Sequence, residues 1–193
     1  IKKIQFIGEK YYKDRLLRSI IASEEDKFWK FITSKRFINP ETIALDKRLL
    51  KRFYLNKGHY QVNISDSFIE YTDNNNFKLV YNINSGPKFM VNNASLSLPL
   101  DYDEKDFSTI KKRLSKLQGK HYSINKLKKI ANEVDKLSLR NDYEFLNASF
   151  EENIISENKI NLVFKIKEFP KEYLSKVNIY GNNITDERVI RNN

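Results

Sequence analysis

The sequence predicts an α+β protein made of tandem β-α-α-β-β units, each a three-stranded mixed sheet covered on one face by two helices. Two pairs of similar segments within the sequence predict the repetition. Ile4–Gly8 returns as Val177–Gly181 at an offset of 173 (181 − 8), and Phe77–Ile83 returns as Ile160–Ile166 at an offset of 83 (166 − 83). Offsets in a ratio of about two to one indicate two complete units and the start of a third. The predicted boundaries are 1–87, 88–170 and 171–193.

The composition predicts a folded protein and excludes thiol chemistry. Hydrophobic residues make up 40% of the 193 residues and include 13 Phe and 11 Tyr, too many for a disordered tail. Because the chain has no Cys, disulfides, thiolate metal sites and a Cys nucleophile are excluded. The net charge of +10 raises the question of an anionic partner. Lys, Asn and Ile are abundant together, a combination that compositional drift can produce without any ligand. We therefore interpret the charge as a property that affects solubility and non-specific binding.

No apolar stretch approaches the roughly 18 to 20 residues that a membrane-spanning helix needs. The start, Ile1–Ile4, lacks the apolar run of a signal peptide, and the last segment ends as a new unit begins. We therefore expect a soluble piece of a longer chain.

The first unit shows each predicted element in turn. Gly8 permits the positive φ of a sharp exit from the opening strand, and Gly58 ends the second helix. The first hairpin strand changes phase after Ile64, which indicates a bulge. In order, the strand, two helices and two hairpin strands are predicted near residues 4–7, 16–21, 39–57, 60–71 and 77–83.

The second unit has the most regular helical pattern, with apolar residues recurring at steps of 3 and 4. These apolar positions are Phe107, Ile110, Leu114 and Leu117 in one helix and Leu127, Ile130, Val134 and Leu137 in the other. Ser123 is predicted to cap the second of these helices. The strands are predicted near residues 94–98, 143–151 and 159–167.

Two segments and the order of elements resemble a known repeat. Residues 177–191, Val-Asn-Ile-Tyr-Gly-Asn-Asn-Ile-Thr-Asp-Glu-Arg-Val-Ile-Arg, resemble the "I-x-I-x-G-N-x-x-T-x-D/E-x-V-I-R" opening of the POTRA repeat of BamA-type proteins. Leu49–Tyr60 resembles its "L-L-x-x-F-Y-x-x-x-G-Y" helix end, with His59 inserted. Glu9 and Asn141–Tyr143 also depart from the pattern. The structural motif residues implied are Gly8, Gly58, Tyr60, Gly86, Gly181 and Asn182.

The resemblance implies a non-enzymatic scaffold of the β-barrel assembly machinery, on the periplasmic face of the outer membrane of a Gram-negative bacterium. Its implied partners are unfolded outer-membrane protein precursors, assembly-machinery lipoproteins and the protein's own C-terminal β-barrel, which lies outside this sequence. No cofactor, metal, catalytic residue or nucleic acid is expected. The resemblance also suggests that the units are the third, the fourth and the start of the fifth repeat.

The predicted binding sites are sheet edges. In a three-stranded sheet that ends in a hairpin, one hairpin strand lies at an edge and offers unpaired N–H and C=O groups to an added strand, a mode called β-augmentation. The candidate positions are Tyr60, Gln61, Val62, Asn63, Ile64 and Ser65 in the first unit, and Phe145, Leu146, Asn147, Ala148, Ser149 and Phe150 in the second.

Two other kinds of protein are compatible with the sequence. A POTRA module of a two-partner secretion system or other related transporter would share the same pattern. A KH-like RNA-binding protein would also have paired helices and a basic charge, but it needs a Gly-x-x-Gly loop that neither helix linker contains. His59 and His121 each precede a Tyr, but neither has carboxylates at ligand spacing, so we do not assign them to a metal site.

Overall fold

The computed structural model describes residues 1, 3–25, 40–72, 76–138 and 146–168. The helices and strands follow the order β-α-α-β-β twice, which confirms the predicted α+β class. The elements are β1 (Lys3–Ile7), α1 (Asp14–Arg18), α2 (Pro40–Asn56), β2 (Asn63–Thr72), β3 (Asn76–Asn84), β4 (Met90–Ser97), α3 (Ser108–Ser115), α4 (Ile124–Ser138), β5 (Leu146–Ser156) and β6 (Lys159–Glu168). The third unit expected at 171–193, with Gly181 and Asn182, lies outside the described residues.

Each unit has a three-stranded mixed sheet, as predicted. The strand order is β1-β3-β2 in the first sheet and β4-β6-β5 in the second. The last strand of each unit is central, because it pairs in parallel with the opening strand and antiparallel with its hairpin partner. The pairing of β2 with β3 shifts between Ile64 and Ser67, which confirms the predicted bulge.

The helices begin and end for local reasons. Helix α2 ends at Asn56, and Gly58 then takes a φ of 98°, a left-handed conformation that glycine adopts without steric cost. Helix α1 is shorter than the apolar pattern predicts and ends at Arg18. Ile20 and Ile21 follow it in a turn and pack, partly buried, against the first core.

Two hydrophobic cores lie between helices and sheets. In the second unit the apolar positions predicted from helical spacing are buried from Phe107 to Leu117 and from Leu127 to Val134, and Leu137 is partly buried against the same core. The first core contains Ile4, Phe6, Leu17, Leu50, Tyr54, Val62, Leu79, Tyr81 and Ile83. Leu55 packs against both cores, so α2 connects the two units.

Candidate functional site: the edge strands

The outer edge of β1 is closed by two side chains. The Ile4 N–H donates to Glu25 Oε1 at 2.7 Å, and Arg18 Nη2 donates to the Ile4 carbonyl oxygen at 3.0 Å. Arg18 Nε also lies 3.3 Å from Glu25 Oε1. Because both outward backbone groups of Ile4 have partners, an added strand would have to displace an ion pair to reach them.

The outer edge of β4 is closed at its start by the chain that leaves α3. The Val91 N–H donates to the Lys120 carbonyl at 2.9 Å, and the Gly119 N–H donates to the Val91 carbonyl at 2.8 Å. Gly119 has a φ of 68°, which places its N–H in this position at the end of a tight turn. This short antiparallel contact occupies the groups that an added strand would use.

The outer edges of β2 and β5 are open by comparison. Within the described ranges no second strand pairs with either one. The only hydrogen bond recorded to the outer part of β2 runs from Lys47 Nζ to the Ser65 carbonyl at 3.4 Å, among described residues. For β5, the backbone partners found in the same ranges belong to β6. Among the described residues, the two hairpin strands therefore carry the edges that no other strand pairs with.

Strand β5 presents the more regular edge. Its pairing with β6 runs from Leu146 to Ile154 without a shift, whereas β2 has its bulge after Ile64. From Leu146 to Asn153 partly buried and exposed side chains alternate, with Phe150 packed on Phe164 at a centroid distance of 4.4 Å. A regular edge keeps its outward N–H and C=O groups in line, as strand addition requires. The exposed positions are Asn147, Ser149, Glu151 and Asn153, followed by Ile154, Ile155 and Ser156 at the end of the strand.

The structure divides the first set of candidate residues in two. Asn63, Ile64 and Ser65 lie in edge strand β2, but Tyr60, Gln61 and Val62 precede it. Val62 is only 5% exposed and belongs to the first core, and its N–H donates to the His59 carbonyl. In the second set, Leu146–Phe150 lie in β5, while Phe145 falls outside the described residues.

Tyr60 belongs to the junction between the units. Its ring contacts those of Phe89 and Tyr122 at centroid distances of 5.7 and 5.0 Å. The Tyr122 hydroxyl donates to Glu152 Oε1 of β5 at 2.7 Å. Burial, and secondarily the Glu152 carboxylate, raise the pKa of Tyr60 to about 12, so its phenol stays protonated as a donor. The junction therefore holds β5 in place from its core side.

Asn56 is a junction residue that the sequence pattern did not predict. Its Oδ1 accepts from the Asn125 N–H at 2.8 Å and from Ser123 Oγ at 3.3 Å. Ser123 stands at the predicted cap position, and its carbonyl accepts from the N–H groups of Lys126 and Leu127. The side-chain oxygen that accepts a hydrogen bond from the first turn of α4 thus belongs to α2 of the other unit. Neither the internal repeat nor the helical spacing of apolar residues predicts this contact.

His59 is buried at the same junction and has one free ring nitrogen. It is 1% exposed, its Nδ1–H donates to the Gly86 carbonyl at 2.9 Å, and its Nε2 has no hydrogen-bond partner in the described structure. The rings of Tyr11, Tyr12 and Tyr54 lie within 5.7 Å of it. Burial lowers the pKa of His59 most, and Lys88 and His121 add smaller effects in the same direction.

We expect the stability of the protein to fall as the pH drops through the ordinary histidine range. The pKa of His59 in the folded state lies below its unfolded value of about 6.5. As the pH falls below about 6.5, the unfolded chain therefore binds a proton before the folded chain does. Proton binding favours the unfolded state, so the free energy of unfolding decreases. Urea unfolding at about pH 7.5 and pH 5.5 measures this loss. The loss should be smaller in His59→Gln, and an equal loss in both proteins would exclude His59 as its source.

No three His, Asp or Glu side chains in the described ranges come close enough together to hold a metal ion. The described helices include none that is both long and apolar enough to cross a membrane.

Comparison with known proteins agrees with this architecture. A family model for POTRA, described as a surface antigen variable number repeat, matches residues 1–86. Across 99% of this chain, the outer membrane protein assembly factor BamA of Neorickettsia risticii is 25% identical and that of Neisseria meningitidis serogroup B is 24% identical. The chain spans about a quarter of each relative, 26% and 24% of their lengths.

A solved structure extends the similarity to both units. The crystal structure of Haemophilus influenzae BamA POTRA3-5 matches 100% of this chain and 75% of its own, with a TM-score of 0.70 and 13% identity. At that identity the match shows the fold. The family model covers the first unit, the second sheet repeats the strand order of the first, and the relatives match across both units. Residues 1–86 therefore match the POTRA family model, and the chain as a whole is similar to the BamA relatives and shares the fold of BamA POTRA repeats.

Proposed function

We propose that this chain is a periplasmic scaffold of the outer-membrane protein assembly machinery, and that it docks unfolded β-barrel precursors and partner lipoproteins by β-augmentation. The observation that carries the proposal is the contrast between edges. Side chains close β1 and a backbone turn closes β4, whereas β2 and β5 are open in the described structure. The similarity to BamA supplies the context of outer-membrane assembly.

Backbone pairing suits a receptor for many precursors. Main-chain N–H and C=O groups are the same in every strand, so a sheet edge accepts extended segments with little regard to side chains. Strands of outer-membrane barrels alternate apolar and polar residues. On β5, such a strand would meet an edge whose own side chains alternate between the core and solvent.

The absence of Cys makes a disulfide test of strand addition direct. In Ser149→Cys, the introduced thiol is the sole thiol of the chain and stands on the exposed face of β5. The probe is a synthetic peptide of about ten alternating apolar and polar residues, with one Cys moved along it a residue at a time. If the peptide adds as a strand, disulfide yields should rise and fall with a period of two, because alternate side chains point to opposite faces.

The matched control is Asn92→Cys, an exposed position on β4 beside the closed backbone of Val91. We expect yields at Asn92→Cys to be several-fold lower and without the two-residue period, since paired strands bring Cα atoms within disulfide range and unpaired ones do not. A period at both sites, or no period at Ser149→Cys, would refute strand addition at β5. The repeat numbers and the particular lipoproteins remain predictions.

A further inference from the structure

A groove of about 490 Å³ lies between the two helices of the second unit, outside the sheet edges. Its floor is apolar and consists of Leu117 and Ile130, which are 7% and 3% exposed. Its two walls carry lysines from different elements. Lys112 and Lys116 stand in and just after α3, and Lys126 and Lys129 stand on α4.

These four lysines form no ion pair with any described residue. Glu133 is an acidic residue near the groove, but it is already shared, since Arg113 Nη2 lies 3.5 Å and Lys136 Nζ 3.6 Å from its Oε1. The Arg113 contact bridges α3 and α4. The positive potential of the lysines is therefore available to a partner.

The segment that forms the groove has an excess of positive charge. Residues 105–138 contain ten Lys or Arg and three Asp or Glu, a net charge of +7. The surface around the groove is therefore positive.

We propose that the groove binds an acidic, partly apolar peptide segment of a partner protein. The carboxylates of such a segment would meet the lysines on both walls, while its apolar side chains would cover Leu117 and Ile130. The concave shape favours a peptide over a membrane surface, because a layer of lipid headgroups is too broad to reach the floor between two helices. This site lies on the helices and is independent of strand addition at β5.

The test uses a fluorescein-labelled peptide of roughly 14 residues, about four helical turns, with Leu at helical spacing and Glu between. Fluorescence anisotropy measures its binding to the 193-residue chain in about 150 mM salt, where unspecific surface attraction is largely screened. The double variant Lys112→Glu/Lys129→Glu reverses one charge on each wall. We expect its affinity to be about tenfold lower, since two attractive contacts become repulsive.

The matched control is Arg48→Glu/Lys51→Glu, which makes the same change of net charge at exposed positions of α2. Its affinity should stay within about twofold of the original chain, because the groove is unchanged. Equal weakening by both double variants would show diffuse attraction and overturn the proposal. So would equal binding of a peptide in which every Glu is replaced by Gln. Vesicles containing phosphatidylglycerol that displace the peptide would identify a membrane as the occupant instead.

Discussion

Gly8→Ala should lower the free energy of unfolding of this protein by about 3 kcal/mol. Gly8 has a φ of 84°, and a Cβ there would lie 2.4 Å from the Ile83 carbonyl oxygen and 2.6 Å from Asn82 Oδ1. The variant therefore combines the cost of a left-handed backbone with a collision against the central strand β3. Urea unfolding followed by circular dichroism measures the loss.

Gly119→Ala separates these two costs. Gly119 has a φ of 68°, but no atom lies within 4 Å of the place a Cβ would take. We therefore expect a loss of about 1 kcal/mol, from backbone strain alone. If Gly8→Ala costs no more than Gly119→Ala, the close approach between the exit of β1 and β3 does not limit the fold.

Asp46→Ala should have a comparable effect, about 4 kcal/mol, through lost hydrogen bonds in the first core. Asp46 is fully buried in α2. Its Oδ2 accepts from the Tyr81 hydroxyl at 2.5 Å, and its Oδ1 accepts from the N–H groups of Ala22 and Ser23 at 2.6 and 3.2 Å. Alanine would leave three donors without an acceptor. Urea unfolding gives the magnitude.

Tyr81→Phe is the control, because it removes one donor and leaves the carboxylate with its two backbone partners. We expect a loss of about 1.5 kcal/mol. Amide hydrogen exchange adds an independent measurement, since Ala22 and Ser23 should exchange faster in Asp46→Ala than in Tyr81→Phe. Equal exchange in the two variants would mean that Asp46 does not hold this turn.

The Asp46 contacts also show how the first unit is assembled. Burial, followed by the hydrogen bond to Asp46, raises the pKa of Tyr81, so the phenol keeps its proton and donates a hydrogen bond to Asp46 throughout the physiological range. One carboxylate on α2 thereby joins the central strand β3 to the turn after α1. The turn leads to Glu25, which closes the edge of β1. Stability and edge closure are connected through the same segment.

Much of the fold could be predicted from local periodicity. The helical spacing from Phe107 to Leu117 identified the buried face of α3, and the alternation in Phe77–Ile83 identified a strand. The phase change after Ile64 located the bulge. These predictions succeed because helical and extended backbones place side chains with periods of 3.6 and 2, which burial then imposes on the sequence.

Contacts between distant segments could not be predicted in this way. The sequence predicts Tyr60–Ser65 as one edge, yet Val62 is buried in the first core and the strand begins only at Asn63. The cap that Asn56 provides for α4 joins residues 69 positions apart. Neither contact leaves a period in the sequence, because each depends on where two separate elements meet.

Local sequence patterns were enough to predict the repeat, the order of its elements and the apolar faces that form two cores. Tertiary packing decides which edges of the described sheets are open and which lysines line one groove. Edge closure depends on hydrogen bonds such as that from Ile4 to Glu25, 21 residues away, and the groove depends on lysines of α3 and α4 facing one another. The geometry of helices and strands produces a periodic pattern of apolar residues in the sequence. Contacts between distant backbone and side-chain groups produce no such pattern, because they form only when the chain packs.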